Sequence, residues 1–141
     1  MKLLYIFVLL LSFGAVRAQE VGLFNKDGKA IAYIDTADKD MPVYLYNGKP
    51  VAYLDKDNIY GFNGKHLGWY DKGLVRNQKG EIIGASKEAS NRYTEYEPFK
   101  SFKQFKPFKT FPEFPPFKVI GQLSWTDDSF EKFLLAGMSK Q

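Results

Sequence analysis

Residues 60–71 read YGFNGKHLGWYD. Asn63-Gly64 separates two short apolar runs, and Asn-Gly in that position is a strong hairpin signal because both central residues of a type I′ turn take positive φ. Related phrases lie on either side: GLFNKDGKAIAYID at 22–35, YLYNGKPVAYLD at 44–55 and LVRNQKGEIIGASK at 74–87. Each has an asparagine where the first run ends (Asn25, Asn47, Asn63, Asn77) and a turn glycine (Gly28, Gly48, Gly64, Gly80). The first and fourth copies insert Lys26-Asp27 and Gln78-Lys79 before the glycine, which predicts a longer loop ending in a left-handed glycine. The chain is therefore expected to be all-β, with four β-hairpins around a common axis, the alternative being an open meander without symmetry. One hairpin cannot bury its own apolar face, so the four must pack on one another.

Counting from each turn glycine, the third residue on is aliphatic (Ile31, Val51, Leu67, Ile83), the fourth small (Ala32, Ala52, Gly68, Gly84) and the fifth aromatic except in the last copy (Tyr33, Tyr53, Trp69, Ala85). Strict alternation along a strand puts the aliphatic and aromatic positions on one face, the expected core, and the small residues on the other, where four strands approach closely. The fourth copy departs further: Arg76 stands where the others carry Phe24, Tyr46 and Phe62. That hairpin then needs a cover from elsewhere in the chain, and the phenylalanine edge of the later tract could dock there; Trp125 is a candidate lid over one of the hairpins.

The phrases NGK-x-VAYL and Y-G-FNGKHLGW resemble those of four-fold beta flower proteins, bacterial secreted proteins in which four hairpin petals surround a pseudo-fourfold axis. The resemblance spans roughly residues 21 to 125 and implies a fold without a chemistry.

Ahead of the repeats, MKLLYIFVLLLSFGAVRAQE has the order of a signal peptide, with cleavage expected after Ala18. Its apolar run of about eleven residues is short of the ~20 that cross a bilayer as a helix, and no second such run follows. The mature chain would start at Gln19 and drop Lys2 and Arg17, lowering the formal charge from +4 to +2. A secreted or periplasmic location follows, with no transmembrane segment after cleavage and little support for nucleic acid as a partner. The expected division is 1–18 leader, 19–93 hairpin domain, 94–118 extended tract packed on it, and 119–141 a last short strand and helix. The helix would be capped by Thr126, terminated by Gly137 and packed through Phe130, Phe133 and Leu134.

The tract FKSFKQFKPFKTFPEFPPFK, 99–118, has a phenylalanine at every third position from Phe99 to Phe117. A polyproline II helix has three residues per turn and keeps such a row on one edge, whereas an α-helix smears it and a strand alternates it. A second edge carries Lys100, Lys103, Lys106 and Lys109; a third is small or polar. At ~3.1 Å per residue the tract spans ~56 Å, longer than the ~35 Å domain, so it must bend, cross the domain or protrude. The expectation is that the rings complete the core while the lysines face water. The competing uses are a lipid-surface or glycan reader made of Phe and Lys, and a proline-rich ligand through the P-x-x-P at Pro112–Pro115.

Chemistry is sparse. With no cysteine and His66 as the single histidine, neither a histidine metal cluster nor a Cys/His nucleophile is available within one chain. His66 is expected to be a solvent-exposed hairpin residue. Asp55, Asp57 and Asn58 begin like a calcium loop but lack its later ligands, and Asp35, Asp38 and Asp40 read as loop residues. No catalytic, metal or cofactor site is assigned. The expectation is a monomeric, non-enzymatic binding or structural module of the bacterial cell envelope, partner unknown. Its candidate surface is Tyr44, Tyr46, Tyr60 and Tyr70 as exposed aromatics, with Lys100, Lys103, Lys106 and Lys109. The alternatives are a glycan-binding or lipid-surface-binding protein, or a hydrolase with an unrecognised carboxylate pair.

Overall fold

The computed structural model describes residues 20–138; the leader assigned to 1–18 lies outside them. Eight strands follow in order: β1 (Glu20–Phe24), β2 (Ala30–Asp35), β3 (Pro42–Leu45), β4 (Pro50–Asp55), β5 (Asn58–Gly61), β6 (His66–Asp71), β7 (Leu74–Arg76) and β8 (Ile82–Ser86). Each pairs antiparallel with the next, and β8 returns to β1 through Leu23–Ser86 and Phe24–Ala85, closing a barrel with no free edge.

The turns from odd to even strands share one construction. The N–H of Gly28, Gly48, Gly64 and Gly80 donates to the carbonyl three residues back, at 2.9–3.0 Å, and each glycine has φ between +78° and +91°. Among the described residues, positive φ outside glycine is confined to Met41, Lys56 and Lys72, so Asn47 and Asn63 are not the first half of a type I′ turn. All four loops are instead a turn closed by a left-handed glycine, equal in length, which corrects the expected division into two short and two long loops. The asparagine shifts by two places between copies yet does the same work. The amide oxygens of Asn47 and Asn63 accept the N–H of Lys49 and Lys65; those of Asn25 and Asn77 accept from Asp27 and Lys29, and from Lys79 and Glu81.

Aligned by these turns, Arg76 is the counterpart of Phe24, Tyr44 and Tyr60, which pair with Ile82, Ala30, Pro50 and His66 respectively. Tyr46 and Phe62 lie inside the turns, opposite in sequence to Lys26 and Gln78.

The expected face assignment fails for one reason, repeated four times. The pairing skips Ile31, Val51, Leu67 and Ile83, each of which is the extra residue of a β-bulge. A bulge breaks the two-residue alternation. The aliphatic residue therefore joins the small one on the inner face. Val51, Leu67 and Ile83 lie in the interior cluster with Ala32, Ala52, Ile34 and Leu54, while Tyr33 and Tyr53 fall in two separate clusters on the outer face. The barrel interior is aliphatic and the aromatic face is outside.

After the barrel, 119–125 forms no strand. It contributes a single parallel bridge between Ile82 and Trp125. Helix α1 (Phe130–Leu135) is capped by Ser129, whose hydroxyl accepts the Lys132 N–H at 3.2 Å, rather than by Thr126; a 3-10 turn (Ala136–Met138) follows, containing Gly137. Phe130 and Leu134 are buried in the interior cluster as expected, and Phe133 packs against it. The small positions explain how the helix fits: a Cβ on Gly84 would lie 2.5 Å from the Phe130 ring, and one on Gly68 3.1 Å from that of Phe133. Asn63 donates from its backbone to Gly137 and from its amide to Ala136, seating the helix over the end of the barrel that carries the four glycine turns.

Candidate functional site

The outer face of the sheet is aromatic. Tyr33 stacks on Tyr44 (5.7 Å between ring centroids) and tilts against Tyr46; Tyr53 stacks on Tyr60 (5.9 Å) and tilts against Phe62. His66 packs between Tyr60 and Trp69. What buries these rings is the segment after β8, which contains no helix or strand from 93 to 122 and runs over the turns as a strap.

Its register on the barrel is nine residues per turn. The N–H groups of Glu95, Gln104, Glu113 and Gln122 donate to the carbonyls of Gly28, Gly48, Gly64 and Gly80 at 2.8–3.0 Å. Between them, Ser101 and Thr110, again nine apart, donate to the carbonyls of Tyr46 and Phe62. The carbonyls of Tyr93, Phe102, Phe111 and Ile120 occupy the space that a Cβ would fill at the same four glycines. Glycine is thus required there twice over, by positive φ and by the strap. This contact also decides how a tract too long for the domain is accommodated: it bends around the barrel from turn to turn. The signal is present in the sequence at a period longer than three. Glu/Gln recurs at 95, 104, 113 and 122, and Pro-Phe-Lys at 98–100, 107–109 and 116–118.

Which edge of the strap faces inward is the reverse of the expectation. The phenylalanines are 89–101% exposed, and Tyr93, Tyr96, Ile120 and Leu123 continue the exposed row at the same spacing of three. The lysines turn inward. Lys100 and Lys103 lie over the Tyr33 ring, Lys103 also over Tyr44, and Lys109 4.4 Å from the centre of Tyr53. Their ammonium groups meet carboxylates beyond the rings: Lys103 with Asp35 (2.9 Å), Lys106 with Asp38 (2.6 Å) and Asp40 (3.2 Å), Lys109 with Asp40 (2.9 Å), Lys118 with Asp71 (3.2 Å). The physical reason is that the tyrosines already bury one another and leave ring faces next to an acidic loop, a surface a lysine stem and ammonium cover better than another apolar ring. Each exposed ion pair is worth only ~0–1 kcal/mol. The backbone bonds and the fit at the glycines therefore set the register, and the charges reinforce it.

The electrostatics follow these contacts. The Lys106 hydrogen bond holds the Asp38 carboxyl below its usual range, and those from Lys109 and Lys106 do the same for Asp40. Burial, aided by the hydrogen bond its hydroxyl gives Glu97 at 2.6 Å, pushes the Tyr46 phenol strongly upward. His66 is buried, 5% exposed, and burial lowers its pKa. Its Nε2 lies 2.9 Å from the Asn58 amide oxygen and its Nδ1 2.9 Å from the Gln78 amide nitrogen. This corrects the expectation of an exposed hairpin residue.

The proposed contact residues fare accordingly. Tyr44, Tyr46 and Tyr60 are buried under the strap, and Tyr70 is half-buried against the interior cluster, so none is an exposed platform. Lys100, Lys103, Lys106 and Lys109 are brought together along one edge, but each is engaged by the chain's own carboxylates. Asp57 is paired with Lys118 and Asn58 with His66. Asp35, Asp38 and Asp40 hold the strap. In the fourth hairpin, Arg76 donates to the carbonyls of Gly80 and Gln122, and its guanidinium fills the space beside Gly121; Trp125 sits next to Ile82 with Arg92 over its ring. None of the tract's phenylalanines from Phe99 to Phe117 docks there. Among the described residues, no helix is long and apolar enough to cross a membrane.

A family model described as 4-fold beta flower protein matches residues 21–134, from the first strand through the helix that caps the barrel. The chain belongs to the 4-fold beta flower family. Comparison with curated proteins and with solved structures gave no match. The family's function is uncharacterised, so membership assigns no role to the exposed edge of the strap, which has to be explained by its own chemistry.

Proposed function

We propose that this chain is an exported, non-enzymatic binding module of the bacterial cell envelope, built of four hairpin petals and a polyproline II belt, with the belt's outer edge as its partner-facing surface. The observation that carries this is the row of eleven apolar side chains from Tyr93 to Leu123, 84–101% exposed, three residues apart. At ~150–250 Å² per aromatic side chain the row presents on the order of 2,000 Å². The largest apolar patch on an ordinary monomer is roughly 300–600 Å² and is often functional. A scaffold would have turned these rings inward, and this fold has spent lysines on that task. Three residues per turn keep all three edges in register, and nine residues make three turns, ~28 Å, per petal. The order of residues 1–18 supports export.

The test replaces Phe105, Phe108 and Phe114 together with serine. The variant is expected to melt within a few degrees of the parent while losing co-sedimentation with the envelope fraction of the source cell. Loss of the folded state would return the rings to the core; undiminished co-sedimentation would take the belt out of the interaction.

A further inference from the structure

The belt's curvature, its outward apolar edge and the lysines beside it together point to a class of partner. Resting on the binding role of the belt, we infer that it takes a fluid, anionic lipid surface, with its rings among the acyl chains near the headgroups and the turn lysines on the phosphates.

The shape of the row is the first ground. The strap is fixed to four successive turns of a closed barrel, so its rings follow a convex path around the molecule. A rigid partner with an ordinary interface would meet one stretch of that path and leave the rest in water. A second copy is equally convex and would do the same, leaving rings free for a third copy and so on without closure. A lipid surface deforms around the row and covers rings from several petals at once. All four glycine turns to which the strap is tied close the same end of the barrel.

Charge is the second ground. The strap's own lysines are consumed inward: Lys100, Lys103, Lys106, Lys109 and Lys118 all sit within reach of carboxylates. Each turn, however, carries a further lysine beside its glycine: Lys29, Lys49, Lys65 and Lys79. Lys29, Lys65 and Lys79 are exposed and Lys49 half-exposed. Among the described residues none of the four is in an ion pair. Cations placed beside an outward apolar row, one to a petal, match phosphates lying just above acyl chains. A lysine near an anionic membrane strengthens binding roughly fivefold, and interfacial binding scales with the apolar area immersed.

Vesicle co-sedimentation of the mature chain from an exporting host tests this, with phosphatidylcholine vesicles and with the same vesicles containing phosphatidylglycerol. The parent should partition onto both and more strongly onto the anionic ones. Phe105→Ser, Phe108→Ser and Phe114→Ser together should weaken partitioning about a hundredfold or more on either. Lys29→Gln, Lys49→Gln, Lys65→Gln and Lys79→Gln together should remove the gain from phosphatidylglycerol. The inference is overturned if the parent stays in the supernatant, if the serine variant binds as well as the parent, if the anionic lipid gives no gain, or if light scattering shows the belt buried in a stable oligomer. A parent that ignores pure lipid yet still sediments with the envelope fraction through its phenylalanines would overturn the lipid partner and leave the broader binding role standing.

Discussion

Gly48→Ala tests the idea that the strap and the barrel are one cooperative unit. Gly48 has φ +91°, and the position of its missing Cβ is taken by the Phe102 carbonyl. Two penalties follow. An L-residue held in left-handed backbone costs roughly 1–2 kcal/mol. The new methyl must also push the strap away, weakening the bonds from Gln104 to the Gly48 carbonyl and from Ser101 to that of Tyr46, both 2.9 Å; each is worth about 0.5–1.5 kcal/mol. The sum is about 2–5 kcal/mol, a large part of a typical stability of 5–15 kcal/mol, and at a few degrees per kcal/mol it lowers Tm by roughly 10–20 °C. Calorimetry reads the total, and amide hydrogen exchange at Ser101 and Gln104 separates the parts. Gly73→Ala serves as the comparison, since Gly73 also has positive φ (+83°) but a Cβ there meets Ser86 and Ala89, not the strap. Both variants should lose stability, and Gly48→Ala alone should expose the Ser101 and Gln104 amides. Protection at those two amides that is unchanged in Gly48→Ala would refute the account of the strap as a load on the turns.

Three further outcomes follow from the same contacts. Asp38 and Asp40 have carboxyls depressed by Lys106 and Lys109, so what they contribute is complete above the unfolded value near ~3.9 and is lost as pH falls through their lower folded values; exchange measured by mass spectrometry should show the strap around 103–110 opening in acid before the barrel strands, and simultaneous loss would contradict it. Tyr33 is fully buried with a hydroxyl that finds no hydrogen-bond partner among the described residues, so Tyr33→Phe should be neutral or raise stability by about 1 kcal/mol in urea titrations. Phe130→Ala empties the space beside Gly84 at the barrel end and should cost about 3–5 kcal/mol in the same assay; a change below 1 kcal/mol would mean the helix is a loose appendage and not part of the core.

Much of the barrel could be read from the letters because its turns need glycine and its tight places need small residues. Gly28, Gly48, Gly64 and Gly80 marked the four loops, and Ala32, Ala52, Gly68 and Gly84 marked places of close approach, although on a face expected to lie away from the core. The face of the aromatic residues was misread because a bulge leaves no local trace: Ile31, Val51, Leu67 and Ile83 are ordinary strand residues, and only the pairing of their neighbours shows that one strand carries an extra residue. The turn type was misread because Asn-Gly satisfies two constructions. Asn47 and Asn63 serve through the side-chain oxygen, not through left-handed backbone.

The strap shows where burial rules stop deciding. Seven phenylalanines and four lysines on parallel edges of one extended segment leave two ways to dock it, and hydrophobicity alone favours rings in. The choice was settled by the receiving surface. Tyrosines stacked in pairs on the outer sheet leave broad ring faces that are already dry, and Asp35, Asp38 and Asp40 stand at their border. A lysine there covers the ring with its stem and reaches the carboxylate with its head; a phenylalanine would strand those carboxylates beneath an apolar lid without a counter-charge. Residue by residue the sequence does hold both partners of this match, at a separation of about seventy positions that no local period can connect. Once the lysines are committed inward, the rings have only the outside left, which is why the apolar row at every third position runs exposed across all four turns of the barrel.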